Sequence, residues 1–470
     1  FPIGYHHTEA PEYYRLMPQG RGNDGWAGLW PDALLPVSEE VELAANTTES
    51  LWFEFDVPAD AVPGAYTGTV TLRGRKKEVT LPVTFTVWNF TAPDAKHLPA
   101  LYDLRNGPGC NIFGNRDRQA NIQAWCDFLA RYNVSPALTV ESPQFAMKDG
   151  KVTMDTQAFD AYASYVFDEL KVNALYTPHI FYACGWAYEP RDFLGHKAFT
   201  PEYIQAWTEA YRMFIDHITE KGWRDKFVYY LSDEPFENSE KTITGLARVA
   251  DMARSVAPDV PVYSSTWRYI EGLEGHLTLW GVGLHESFPL EKMRERQAAG
   301  DRFWFTTDGH MCTDTPFLGV ERLLPWLCLK YGVEGYEFWG VSWWTYDPHT
   351  CGWHKYIRQS NDGENYYWVR YPNGDGFLAY PSPDGGSAEP LPTIRLIAAR
   401  EGVDDYEVFL ALLKHAEAGN VEARAALDRI LAAVAMTKPN GRYSTLLMPD
   451  PDEIQAARNH AGQVLSELEP

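Results

Sequence analysis

Between residues 50 and 90 the chain reads "SLWFEFDVPADAVPGAYTGTVTLRGRKKEVTLPVTFTVWNF", with apolar and polar residues alternating through three runs. "PADAVPGAY" and "RGRKKE" divide the runs, and such period-two alternation punctuated by turn residues predicts half-buried antiparallel strands. Residues 1–96 are therefore expected to form an accessory β-sandwich. Only three or four strands are legible there, whereas a full sandwich takes about seven. Either further strands lie within residues 1–40 or the domain is incomplete at its start. "APDAKHLP" then reads as a linker.

Beyond the linker the period changes. Apolar runs at 100–104, 134–140, 174–182, 227–232, 261–266, 277–284, 302–307 and 332–340 read as strands. Stretches such as "RQANIQAWCDFLARY", "YIQAWTEAYRMFIDHITEKG" and "FLGVERLLPWLCLKYG" carry apolar residues at i, i+3, i+4 and i+7, as amphipathic helices do. Eight strands alternating with helices predict a (β/α)8 TIM barrel over residues 97–416. A doubly wound open sheet is the alternative, but no G-x-G-x-x-G follows an early strand. Residues 341–392 make a long Trp-rich connection after the eighth strand, and loops of that length are usually functional. Residues 393–470 read as three helices, with 417–470 a C-terminal helical extension.

Composition narrows the function. The net charge of −23 and pI near 5.0 supply no basic field for nucleic acid or anionic membranes. No apolar run reaches the ~18 residues of a membrane span, so membrane insertion is not expected. The 6 cysteines are scattered without a C-x-x-C and read mostly as buried thiols. The adjacent His6 and His7 suggest no metal site. The 17 Trp and 27 Tyr fit either sugar stacking or an aromatic core. The chain starts at Phe1 rather than Met, which is read as a processed product of extracellular or periplasmic destination whose export signal has been removed.

The candidate chemistry lies in "FVYYLSDEPFENSE", where an apolar strand runs into Asp233 and Glu234. On the strand count these end the fourth strand, at the face where barrel enzymes keep their active sites. A retaining glycosidase commonly sets two carboxylates about 5–5.5 Å apart across the bond. Neighbours on one strand point to different sides and suit that poorly. They suit a sugar bearing a 2-acetamido group, whose own carbonyl oxygen attacks the anomeric carbon. Glu234 is then the acid/base and Asp233 the carboxylate that orients the acetamido N–H. A purely structural alternative makes "SDEP" the capping cluster of a following helix.

"YYLSDEPFE", "GVERLLPWLCLKYGVEGYEFWGVSWW", "GDGFLAYPSPDG" and "TIRLIAAREGVDDYEVFLAL" together resemble glycoside hydrolase family 123, and "LWPDALLPV" and "LWFEFDVPADAVPGAYTGTVTL" resemble the sandwich that precedes its barrel. The resemblance implies an exo-acting, retaining β-N-acetylgalactosaminidase with Asp233 and Glu234 as its Asp-Glu pair, acting on a glycan or glycoconjugate. No metal or organic cofactor is expected. Around that pair, Trp339, Trp343, Trp344 and Tyr346 are candidates for an aromatic floor under the sugar. Arg105, Asn106, Trp267, His285, Asp308 and His310, at other strand ends, are candidate hydroxyl ligands. Tyr182 and Tyr336 are alternatives for holding the acetamido oxygen. Two rival functions stand beside this one. In the first, Glu234 is paired with Asp308 as a covalent nucleophile on a sugar without the acetamido group. The second is a non-catalytic carbohydrate-binding protein.

Overall fold

The computed structural model describes residues 2–5, 28–36, 45–46, 48–93, 96–104, 118–284, 287–307, 319–343, 348–351, 356–359, 366–369, 374–382, 389–436 and 451–469. Seven strands form one parallel sheet in the spatial order Ala100–Tyr102, Tyr336–Phe338, Arg302–Thr307, Leu279–Val282, Val262–Trp267, Phe227–Asp233 and Leu175–Tyr176. Residues 134–140 occupy the gap between the first and last of these. Tyr102 N–H donates to Ser135 O at 2.8 Å, and Tyr176 N–H donates to Ala137 O at 2.6 Å. The result is the expected (β/α)8 barrel. Its second stave is not the regular strand that the apolar run suggested. Pro136 has no N–H to give a ladder, and Ala137 turns at φ +28°.

The third stave is also broken. Extended pairing stops at Tyr176, a 3-10 turn spans His179–Phe181, and pairing resumes at Cys184–Gly185 beside Ser232 and Asp233. This detour brings Tyr182 and Trp186 to the top of the fourth strand.

Alternation along the strands sorts side chains into two cores. Leu101, Ala137, Tyr176, Val228, Tyr263, Leu279 and Trp304 fill the barrel interior. The opposite faces, with Tyr336 and Phe338 among them, pack against the helices. Helix Pro201–Glu220 illustrates how the surrounding helices form. Thr200 caps it by accepting Tyr203 N–H at 3.2 Å, Pro201 occupies the first turn, and Tyr203, Ala206, Trp207, Ala210, Phe214 and Ile218 make its buried stripe.

The N-terminal residues form antiparallel pairs, Pro2–Tyr5 with Gly28–Pro31 and Gly64–Arg73 with Glu78–Val87. Tyr66 opposes Phe85 on the second pair, and their rings stack at 5.6 Å. The following linker is pinned to helix Ile394–Glu417 by Lys96–Asp404 at 2.6 Å and His97–Glu407 at 2.7 Å. Asp32 is tied in more deeply. It pairs with the buried Arg395 at 2.8 Å and accepts from Tyr380 at 2.6 Å. Helices Val421–Ala432 and Pro451–Leu468 follow helix Ile394–Glu417. Cys126, Cys184 and Cys328 are buried free thiols. Among the described residues no helix is long and apolar enough to cross a membrane, and no His/Cys/Asp/Glu group is arranged to hold a metal.

Candidate active site

Asp233 is the last residue of the fourth strand. Its Oδ1 accepts two hydrogen bonds, from Tyr230 Oη and from Ser265 Oγ on the fifth strand, each at 2.7 Å. Among the described residues Oδ2 has no hydrogen-bond partner. Burial, and then the charge of Asp233, hold the Tyr230 hydroxyl well above its usual range, so it stays a donor.

Glu234 leaves the strand abruptly. Its N–H donates to Ser265 O at 2.9 Å and its φ is +42°. Pro235 follows, and a residue before proline ordinarily prefers extended backbone, so this conformation is costly. The turn separates the two carboxylates. Glu234 is met by Trp186, whose Nε1 donates to Oε2 at 3.3 Å. Trp186 also closes a backbone clasp, its N–H on Asp233 O at 3.0 Å and its O accepting Phe236 N–H at 2.7 Å. The capping alternative fails on position: the next helix begins at Glu240 with Ser239 as its N-cap, so Asp233 and Glu234 lie well ahead of its first turn.

Trp186 and Trp267 share the unusual backbone, with φ of +49° and +61°. Trp267 closes the fifth strand, and its carbonyl accepts Gly283 N–H at 3.1 Å and Ser287 Oγ at 2.6 Å. Three bulky residues in left-handed conformations thus border one barrel mouth. Each costs about 1–3 kcal/mol and persists only where the surroundings enforce it, which is typical of functional sites.

Tyr182 lies against Asp233. A Cβ on Gly185 would overlap the Tyr182 hydroxyl and come within 2.7 Å of Asp233 O, so only glycine permits this approach. The Tyr182 hydroxyl is raised above its usual range by burial and then by the charge of Asp233. Tyr336 is placed elsewhere. It is fully buried, its hydroxyl 3.2 Å from that of Tyr102, in the core between barrel and helices. The alternation that turns Glu337 inward turns Tyr336 away from the mouth, which corrects its assignment as an acetamido ligand.

On the eighth strand's side, Trp339 and Trp343 meet edge to face at 4.9 Å. Trp339 Nε1 donates to Asp375 Oδ1 at 3.2 Å, and Trp343 N–H donates to Gly376 O at 2.8 Å. Arg105, Asn106, His285, Asp308, His310, Trp344 and Tyr346 lie outside the described residues.

The pattern reading missed Trp186, Gly185, Tyr230, Ser265 and Glu337. Glu337 had a signal, being the one charged residue in the apolar run "YEFWG" and in register to point into the barrel. Trp186 had none, because a loop brings it to Glu234.

The model of the glycoside hydrolase 123 catalytic domain matches residues 144–412, and that of the glycoside hydrolase 123 N-terminal domain matches residues 15–74. No curated protein matches the sequence. Among solved structures, a family 123 glycoside hydrolase from Clostridium perfringens, described for glycolipid glycan hydrolysis, is similar with a TM-score of 0.59 and 15% identity. That likeness covers 88% of this chain and 76% of the other. The endo-β1,6-glucanase BT3312 is a more distant likeness, with a TM-score of 0.38 at 10% identity, covering 73% of this chain and 84% of that one.

Proposed function

Since this chain belongs to glycoside hydrolase family 123, and is a glycosidase with a glycan substrate, we propose that it is a retaining exo-enzyme that removes terminal β-linked N-acetylgalactosamine through an oxazolinium intermediate. The observation that carries this reading is the division of the two adjacent carboxylates. Asp233 is held by Tyr230 and Ser265 on the barrel wall, while Glu234 is turned at φ +42° to Trp186.

Each setting fits one task. The acetamido carbonyl oxygen attacks the anomeric carbon as the bond to the leaving oxygen breaks, and Glu234 gives its proton to that oxygen. The acetamido nitrogen becomes positive as the ring closes. Asp233 Oδ2 accepts its N–H, and the carboxylate charge stabilises the cation. Glu234, now ionised, takes a proton from water as it attacks the anomeric carbon. The ring opens, and the sugar is released with retained configuration. Tyr182, beside Asp233, is the group we assign to the acetamido oxygen. Trp339 and Trp343 supply an aromatic wall for the ring. The Clostridium perfringens neighbour is described for glycolipid glycans, and we extend that class of substrate to this enzyme.

The reading is tested with chromogenic β-glycosides with and without the 2-acetamido group, in galacto and gluco configurations, on wild type and Asp233→Asn. The N-acetylgalactosaminide is expected to be cleaved fastest, and Asp233→Asn to lose orders of magnitude in turnover while staying folded. Efficient cleavage of the plain galactoside, undiminished in Asp233→Asn, would instead favour the two-carboxylate design.

A further inference from the structure

One layer below Asp233 the barrel interior holds a carboxyl group to which the reaction above gives no task. Glu337 points inward from the eighth strand and is 6% exposed. Its described hydrogen-bond partners are all hydroxyls. Tyr176 donates to Oε2 at 3.2 Å, while Oε1 accepts from Thr306 and, at 3.5 Å, from Tyr263. The Tyr176 ring stacks on Tyr230 at 4.5 Å, and Tyr263 packs on Tyr230 at 5.3 Å. Tyr230 in turn donates to Asp233. A single polar layer, drawn from several strands, thus runs from Glu337 to Asp233.

We propose that Glu337 is a positioning residue for Asp233: in its neutral form it anchors the tyrosine layer whose last member, Tyr230, orients the Asp233 carboxylate, and it leaves the negative charge to Asp233. The proposal rests on the assignment of Asp233 as the acetamido-orienting carboxylate.

The groups facing Glu337 make neutrality the favoured state. Asp103 at the end of the first strand and Asp233 on the fourth are both acids, and Tyr176, Tyr263 and Thr306 are uncharged. Burial first, and then the charges of Asp233 and Asp103, push the Glu337 carboxyl up to about 8, against the pull of the Thr306 and Tyr176 hydroxyls. When Glu337 ionises, a second negative charge stands in the layer beneath Asp233, and the two carboxylates repel each other. That repulsion works against the Tyr230 and Ser265 hydrogen bonds that aim Asp233, and the alignment the developing cation needs is degraded.

The test is the pH dependence of kcat and kcat/KM for wild type, Glu337→Gln and Tyr230→Phe, with Asp233→Asn as reference. Wild-type activity should fall above about pH 8. Glu337→Gln, a permanent mimic of the neutral form, should remove that alkaline limb. Tyr230→Phe should lower kcat about tenfold, with KM changed less than about twofold, because the lost hydrogen bond to a charged group matters most as charge develops. A merely structural role would lower the melting temperature and leave the profile where it was. An unmoved alkaline limb in Glu337→Gln overturns the proposal, as does an unchanged kcat in Tyr230→Phe. The second variant decides the matter if the first does not fold. Full activity in Asp233→Asn would remove the assignment of Asp233 itself. An inactive Asp233→Asn beside a wild-type profile in Glu337→Gln removes only the role of Glu337.

Discussion

The indole N–H of Trp186 donates to Glu234 Oε2 at 3.3 Å, and both residues hold positive φ, +49° and +42°. Two strained backbones meeting through one hydrogen bond fix where the Glu234 carboxyl points. Trp186→Phe keeps an aromatic ring, though a smaller one, and removes the N–H donor. A hydrogen bond to a charged group is worth about 1.5–3 kcal/mol, so kcat/KM should fall about tenfold or more. The loss should be largest for poor leaving groups, which depend most on protonation. Measuring kcat/KM across aryl glycosides of graded leaving-group acidity checks this. A uniform loss for all leaving groups would contradict it.

Gly185 sits where a methyl group would meet both the Tyr182 hydroxyl and Asp233 O. Gly185→Ala should displace Tyr182 from Asp233 and lower turnover at least about tenfold, since small misplacements at a reacting centre are expensive. Circular dichroism should report an intact barrel. Undiminished activity would show that the close approach of Tyr182 is not needed.

Arg395 is fully buried and satisfied by Asp32, Gly374 O and Phe377 O. Asp32→Ala strips its counter-charge, and removing one member of a buried pair typically costs about 3–5 kcal/mol. Urea unfolding should show a loss of that size. A loss below about 1 kcal/mol would mean that the N-terminal segment carrying Asp32 contributes little to holding this end of the barrel.

Neither carboxyl oxygen of the fully buried Glu321 has a hydrogen-bond partner among the described residues, and burial pushes this group from 4.5 up to about 8 although Arg395 opposes the shift. The unfolded chain gives up this proton near pH 4.5, whereas the folded chain keeps it to about pH 8. Between those values the folded state binds more protons, so this group's contribution to stability falls as pH rises, by about 1.4 kcal/mol per pH unit. Glu321→Gln should therefore gain on wild type in thermal unfolding as pH goes from 5 to 7.5. Parallel stability curves for the two proteins would contradict the assignment.

Much of the fold was legible because barrel strands and helices write strong periods. The strands carrying Asp233, Trp267 and Phe338 lie where the apolar runs placed them, and Asp233 ends the fourth strand as counted. The interrupted second and third staves were not legible, because Pro136 and Pro178 break runs that hydropathy alone makes continuous. Composition also could not assign the aromatics. Trp125, Trp207, Trp280 and Trp326 proved to be core, whereas Trp186 stands about half exposed at Glu234. Loop-borne partners such as Trp186 arise from tertiary folding and leave no local pattern. Tyr336 and Glu337 show the opposite case, since period-two alternation alone separates the buried tyrosine from the inward carboxyl.

The central claim, that the substrate's own acetamido group is the nucleophile and Asp233 its partner, is tested most directly by changing that group. Aryl N-acetylgalactosaminides with acetyl, fluoroacetyl, difluoroacetyl and trifluoroacetyl substituents weaken the carbonyl oxygen stepwise while barely altering its size. If that oxygen attacks the anomeric carbon, kcat/KM must fall steeply along the series, by orders of magnitude from first to last. A rate that stays level across the four substrates would contradict the account.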